Sequence, residues 1–195
     1  MANDPLEKFQ HIWIQAQQSG LNRYRNSVCI STIDQHGFPN ARFVDLKAVS
    51  DVGCIFCSDL SSTKAIEIQN HPKVSLTAWW EHVAYQIRIQ GICQRISDQQ
   101  ADEFWQQRPR DAQLTSLTFD QSQGITSVDL LESCFLHAKK QDDQQYLPRP
   151  DTWGGFELIP TKIEFLAFKE TRLHIRHQYI WNEHHQIWEV QLLQP

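Results

Sequence analysis

The sequence predicts an α+β domain that is mainly β: an antiparallel barrel with one helix inserted and others flanking it. Three features carry that expectation. Short runs rich in β-branched and aromatic residues begin at Val28 and recur along the chain. Most connections between the early runs are too short for parallel crossovers, which need a dozen residues or more. A sheet that closes on itself also leaves fewer unpaired edges than an open one. With 195 residues, 41% of them hydrophobic, the chain has material for one good core. One domain over residues 1–195 is expected, a helix over 4–19 leading into a barrel and helices over 28–195.

The elements follow in order. Asp4 is an N-cap with Pro5 at the first helical position, and Leu6, Phe9, Trp13 and Ala16 then recur at helical spacing until Ser19-Gly20. Strands are expected at Val28 to Ile33, Ala41 to Val49, Gly53 to Cys57, Lys73 to Trp80 and Ala84 to Arg95, separated by turn-formers such as Asp34-Gln35-His36-Gly37. A helix opened by Ser61 or Ser62 and stopped by Asn70-His71-Pro72 lies between the third and fourth strands. Ser97-Asp98 caps another helix to about Gln107. Arg108-Pro109-Arg110-Asp111 interrupts it before further helical sequence through Lys140. Gln141 to Gln145 reads as a solvated linker and Pro148 to Gly155 as a loop. Closing strands are expected at Phe156 to Ile159, Lys162 to Phe168, Arg172 to Trp181 and Ile187 to Leu193.

Composition narrows the function. A net charge of −5 argues against a non-specific nucleic-acid binder, which needs a basic footprint. No apolar run reaches membrane-spanning length and Met1 to Pro5 lacks a signal-peptide layout, so a soluble cytoplasmic protein is expected. Five cysteines at scattered spacing do not suggest a disulfide framework. Cys54 and Cys57, three apart on a strand, face opposite sides, unlike a redox pair opening a helix. The histidines are isolated apart from His184-His185 in a polar turn, and no metal site is expected.

The basic residues are more informative. In Arg172-Leu173-His174-Ile175-Arg176, strand alternation would put two arginines and an imidazole on one face. Such a row repels itself unless an anionic ligand lies against it. Arg42 and Lys47 on an early strand, Lys64 at a helix start, and Arg108 with Arg110 are further cations. Ser62-Thr63-Lys64 combines unpaired backbone N–H groups, hydroxyls and an ammonium, a cradle for an anion.

The order and spacing of these motifs resemble the pyridoxine/pyridoxamine 5′-phosphate oxidase family. The resemblance runs from about Val28 to Pro195 and rests on Arg42-Phe43-Val44-Asp45-Leu46-Lys47, Ser62-Thr63-Lys64, Tyr85 to Gly91, Arg108 to Gln113, Trp153-Gly154-Gly155-Phe156 and the pentapeptide 172–176. It implies a split β-barrel homodimer with FMN in clefts between the subunits. By resemblance, residues 42–47 run along the flavin, Arg42 reaches its phosphate, and Cys57, Ser58, Ser62, Thr63 and Lys64 complete that half of the site. Gln86, Gln121, Ser122, Leu166 and Arg176 are the remaining cofactor contacts, several from the other subunit. Lys47, Phe104, Arg108 and Ala112 map to the substrate phosphate. Arg172 and His174 map to the catalytic position beside the pyridine ring.

The chain departs from the family pattern at several of these positions. Thr63 stands where an arginine is usual, Leu166 where a tryptophan is usual, Cys57 where a tyrosine is common and Asp45 where an apolar residue is usual. Phe104 replaces a tyrosine and Ala112 a serine, which deletes two hydroxyls from the phosphate site. At roughly 1.5 kcal/mol per hydrogen bond to a charged acceptor, about 3 kcal/mol is lost, on the order of 100-fold in affinity. The resemblance implies an FMN-dependent oxidase of pyridoxamine or pyridoxine 5′-phosphate. Three alternatives stay open on the sequence: an oxidase of another small aromatic such as a phenazine, a non-catalytic flavin or pyridoxal-phosphate carrier, and a β-barrel interaction protein.

Overall fold

The computed structural model describes residues 4–18 and 26–195; the helix stop expected at Ser19-Gly20 and the chain start at Met1 to Asn3 lie outside them. Helix α1 (Pro5–Gln18) opens with the Asp4 carboxylate accepting from the Leu6 N–H at 2.9 Å, and buries Leu6, Phe9, Ile12, Trp13 and Ala16. This face joins the main core, where Phe9 stacks on Trp80 with ring centroids 5.8 Å apart.

Strands β1 (Ser27–Ile33), β2 (Pro39–Val49), β3 (Cys54–Asp59), β4 (Lys73–Trp80), β5 (Tyr85–Arg95) and β6 (Trp153–Ala167) pair antiparallel in the order β3-β2-β1-β4-β5-β6. A β3–β6 pairing closes the ring, so the expected barrel is present and has six strands. Its inward residues alternate along each strand, as in Val28, Ile30 and Leu76 or Ile87 and Ile89, and are all but sealed from solvent. Helix α2 (Thr63–Asn70) is inserted between β3 and β4. Helices α3 (Asp98–Gln106), α4 (Arg110–Thr118) and α5 (Val128–Gln141) connect β5 to β6. Ser97 and Gln100 form a reciprocal capping box at the start of α3.

Three expectations are corrected. The segments Phe156 to Ile159 and Lys162 to Phe168 are one continuous strand, β6. Its first half pairs with β3 and its last six residues with β7 (Ile175–Asn182), while β5 follows it throughout with a bulge opposite Gln90 and Gly91. Pro160, which cannot donate to a ladder, sits where β6 changes partners. Gly91 lets the backbones close there, since a Cβ would lie 2.8 Å from the Ile159 carbonyl carbon. Second, Gly154 and Gly155, expected in a loop, lie in β6 and pair with Ser58 and Cys57, whereas Gln141 to Gln145 is largely the exposed connection expected, with Asp142 held by Arg110 Nε at 2.7 Å. Third, β7 begins only at Ile175. Arg172 lies in a turn with a left-handed backbone (φ 64°), its N–H donating to the Lys169 carbonyl at 3.0 Å. The alternation of the pentapeptide imitates a strand, but the chain there is turning from β6 into β7. β8 (Ile187–Leu193) completes the sheet, and the His184-His185 turn joining it to β7 hangs on the Asn182 side chain.

Candidate functional site

The densest polar cluster forms at the start of α2. Ser62 occupies the N-cap, but its hydroxyl donates to the Asp59 carbonyl (2.6 Å) and not to the helix. Lys64, nearly buried, turns back over that first turn. Its Nζ donates to Ser58 Oγ (3.0 Å), Ser62 Oγ (3.2 Å) and Gln121 Oε1 (3.0 Å). The Thr63 N–H donates to Ser122 Oγ at 3.3 Å. Ser58, Ser62, Thr63, Lys64, Gln121 and Ser122 are therefore neighbours within one chain. Burial, and then the charge of Arg42, holds the Lys64 ammonium below the usual lysine range.

Arg42 has a committed partner. Its Nη2 donates to Glu67 Oε2 at 2.8 Å, and Glu67, on α2, also accepts from Asn40 (2.5 Å) and from the Thr32 hydroxyl. Burial works against a charged Glu67, but these three donors outweigh it and keep its carboxyl below the ordinary range. Along β2 beyond Arg42, Phe43 is exposed, Val44 packs on the core, Asp45 is exposed and Leu46 is buried. Lys47 is the extra residue of a bulge between Leu46 and Ala48, with its Nζ 3.6 Å from Asp45.

A second neighbourhood gathers Lys47, Cys57 and Arg108. Burial pushes the Cys57 thiol up to about 11 against the pull of both cations, so it is a neutral thiol at pH 7. Arg108 is pushed below its usual range by burial, and its guanidinium lies 5.5 Å from the Trp153 ring. Arg108 lines a cavity of about 180 Å³ with Cys57, Ser58, Ser116, Gln121 and Trp153. Lys47, Phe104 and Ala112 do not line it. Phe104 packs instead on an apolar cluster around Ile55, Ile96 and Ala101, and Ala112 is half-buried on α4.

The third group is a row across three strands: Gln86 on β5 pairs with Leu166 on β6, which pairs with Arg176 on β7. Arg176 Nη2 donates to Glu164 at 2.8 Å, and Arg88 stands 3.6 Å from the same carboxylate. Beside this row, the Lys169 N–H donates to His174 Nδ1 at 3.1 Å, which leaves the ring proton on Nε2. The His174 ring meets Phe168 edge-on at 5.2 Å. Arg172 is exposed and has no ion-pair or hydrogen-bond partner for its side chain among the described residues.

Among the described residues no hydrogen bond within the chain joins this row to the α2 cluster. Arg110 is committed to Asp142 and takes no part in any of these groups. Sequence reasoning missed Glu67, Glu164, Asp59 and Ser116. Glu67 stands three residues after Lys64 on α2, and Ser116 one helical turn after Ala112; those spacings are the only signals for either.

Comparison with known proteins agrees with this architecture. Residues 14–140 match the pyridoxamine 5′-phosphate oxidase family and residues 153–195 match the pyridoxine 5′-phosphate oxidase C-terminal dimerisation region. The chain is 35% identical over 194 residues to the pyridoxine/pyridoxamine 5′-phosphate oxidase of Pelagibacter ubique, covering 98% of this chain and 92% of that one. It is 34% identical to the protein of that name from Escherichia coli O157:H7, with 98% and 87% covered. Among solved structures, PhzG from Burkholderia lata, in complex with tetrahydrophenazine-1-carboxylic acid, superposes with a TM-score of 0.89 at 24% identity, covering 98% and 92% of the two chains. A pyridoxamine 5′-phosphate oxidase-related, FMN binding protein from Nostoc punctiforme gives 0.80 at 17%, covering 98% and 97%. Those two likenesses speak for the fold. The family match and the curated relatives, spanning almost the whole chain, establish more: the chain belongs to the pyridoxamine 5′-phosphate oxidase family.

Proposed function

We propose that this protein is an FMN-dependent oxidase that converts pyridoxamine or pyridoxine 5′-phosphate to pyridoxal 5′-phosphate, with O₂ as final acceptor. The observation that carries it is 35% identity along nearly the entire chain to a curated enzyme of that name. The whole chain acts as one FMN-binding domain and works as a homodimer. Exposed apolar residues on β7 and β8, Ile180 and Ile187 on one face of this hairpin and Val190 and Leu192 on the other, supply apolar surface for the partner, within the matched dimerisation region.

The residues present suit FMN. A near-buried ammonium, oriented by the hydroxyl oxygens of Ser58 and Ser62, and the first N–H groups of α2 are donors a phosphate dianion needs, and Arg42 adds a guanidinium beside them. Residues 42–47 with Cys57, Ser58, Ser62, Thr63, Lys64, Gln121 and Ser122 hold the cofactor in one subunit. Gln86, Leu166 and Arg176 reach it from the other. FMN held there would supply the hydride acceptor and the means of reducing O₂ to hydrogen peroxide.

The protein's own part is alignment and charge. Lys47 and Arg108 take the substrate phosphate, while Phe104 and Ala112, at positions that carry hydroxyls in the family, have none to donate. Arg172, free of any partner, and His174, with its Nε2 proton available, orient the pyridine ring and favour the charge that develops as hydride leaves C4′. Air incubation of the FMN-loaded protein with pyridoxamine 5′-phosphate tests the reading. Pyridoxal 5′-phosphate and peroxide should appear in equal amounts, and no aldehyde above a control without substrate would overturn it.

A further inference from the structure

The cavity beside Arg108 contains an unmatched charge. No carboxylate lies within 4 Å of the Arg108 guanidinium among the described residues. Its Nε is buried with no hydrogen-bond partner, and Nη2 donates to Ser116 Oγ at 3.3 Å. The cavity's one lining carboxylate, Asp59, is turned away to the Ser61 N–H and hydroxyl, at 2.7 and 2.5 Å. The exposed Asp45 acts on it only from beyond contact distance, and a guanidinium taken largely out of water with no carboxylate touching it is costly unless an anion completes it.

Ser116 differs from its neighbours on α4. The Thr115 and Thr118 hydroxyls are spent on the carbonyls of Asp111 and Leu114, each at 2.7 Å. The Ser116 hydroxyl accepts from Arg108 and has no acceptor for its own proton among the described residues. An oxygen already held by a guanidinium, with its O–H unspent, is a donor aimed by a cation. Ser116 also follows Ala112 by four residues, so both stand on one face of α4, one turn apart. At about 180 Å³ the cavity has room for roughly six waters, enough for a phosphate group and its ester methylene but not a whole flavin.

We infer that Ser116 is the specificity-determining residue for the substrate's phosphate: with Arg108 it binds that group one helical turn beyond Ala112, replacing the hydroxyl contacts that Phe104 and Ala112 do not make. This rests on the proposed function and adds to it which residue of this chain selects a phosphorylated substrate. No covalent step is involved.

The test uses the full-length, FMN-loaded protein, titrated with pyridoxal 5′-phosphate and with pyridoxal while the flavin absorbance is followed. Wild type should prefer the phosphorylated ligand. Ser116→Ala should weaken pyridoxal 5′-phosphate about tenfold, the value of one hydrogen bond to a charged acceptor, and leave pyridoxal and FMN binding unchanged. Ser116→Thr, which keeps a hydroxyl, should retain the preference. A Ser116→Ala protein with undiminished preference overturns the inference and leaves the proposed function standing. Equal losses for both ligands make Ser116 merely structural, and a loss of FMN affinity assigns the cavity to the cofactor; either result overturns it too. A wild type that does not distinguish the two ligands removes the proposed substrate and this inference together.

Discussion

Glu67→Gln separates a structural ion pair from a cofactor site, because it should move stability and FMN affinity in opposite directions. Glu67 holds Arg42 at 2.8 Å with side chains 6% and 23% exposed, and two further donors fix the carboxylate. Removing one partner of a fully buried pair costs about 3–5 kcal/mol, but Arg42 keeps contact with water, so the loss is nearer the ~2 kcal/mol of a charge-assisted hydrogen bond. For a chain of this length that is a fall of about 4–8 °C in the Tm of the FMN-free protein. The binding term has the other sign. A phosphate on the far edge of the same guanidinium lies about 6 Å from the Glu67 carboxylate, and at an effective dielectric of 20 their repulsion is roughly 2.8 kcal/mol per unit charge. Halving this for exposure and salt leaves about 1.4 kcal/mol, so Glu67→Gln should bind FMN about tenfold tighter. Thermal unfolding without FMN and quenching of FMN fluorescence on titration read the two effects separately. A variant that is less stable and binds FMN no better would refute the placement of Arg42 at the phosphate. There is a pH signature as well. Since the Glu67 carboxyl is held below its ordinary value, its stabilisation is complete above the unfolded carboxyl range near 4.3 and is lost as pH falls through the folded value; Glu67→Gln should lack that acid limb.

Two other perturbations follow from the geometry. Lys64 is depressed below 10.5 by burial and by Arg42, so FMN affinity should begin to fall on the alkaline side before an ordinary lysine would titrate, while the FMN-free protein, relieved of a buried charge, gains stability over the same range. Lys64→Arg keeps its charge and should flatten the affinity profile; an unchanged alkaline limb in a fluorescence titration would show that Lys64 does not hold the phosphate. Gly91→Ala should cost about 3 kcal/mol or more and lower Tm by about 6–12 °C, because its Cβ meets the Ile159 backbone, whereas Gly124→Ala meets nothing within 4 Å and should be near neutral. Equal melting temperatures for these two variants would refute the account of β6 changing partners there.

The parts of this fold legible in the sequence are those decided locally. Asp4-Pro5 starts α1, Ser97-Asp98 starts α3, and alternation in Val28 to Ile33 or Ala84 to Arg95 marks strands, because capping chemistry and strand period act over a few residues. Two misreadings have the same origin. Pro160-Thr161 looks like a break, yet β6 runs through it because Gly91, about seventy residues earlier on β5, leaves room for a bulge. Arg172 to Arg176 looks like a strand, yet a turn bonded back to Lys169 sets its backbone.

The candidate site divides along the same line. Its cations stand out in the sequence because a cluster of Arg and Lys in an acidic chain needs a partner; what each cation is already paired with does not, because pairing is decided across elements. Glu67 meets Arg42 across α2 and β2, and Glu164 meets Arg176 across β6 and β7. Arg108, by contrast, has no carboxylate within 4 Å among the described residues and feels Asp45 only at longer range. Of the basic residues that resemble a family pattern, a folded protein can keep only those without an internal counter-charge fully available to ligands, and by that criterion Arg108 and Arg172 outrank Arg42 and Arg176. The two uncommitted arginines are those assigned to the substrate and the two committed ones those assigned to the cofactor. A resident cofactor must displace or share an existing ion pair once, on loading. A substrate that enters and leaves at every turnover is better served by cations with no bond to break.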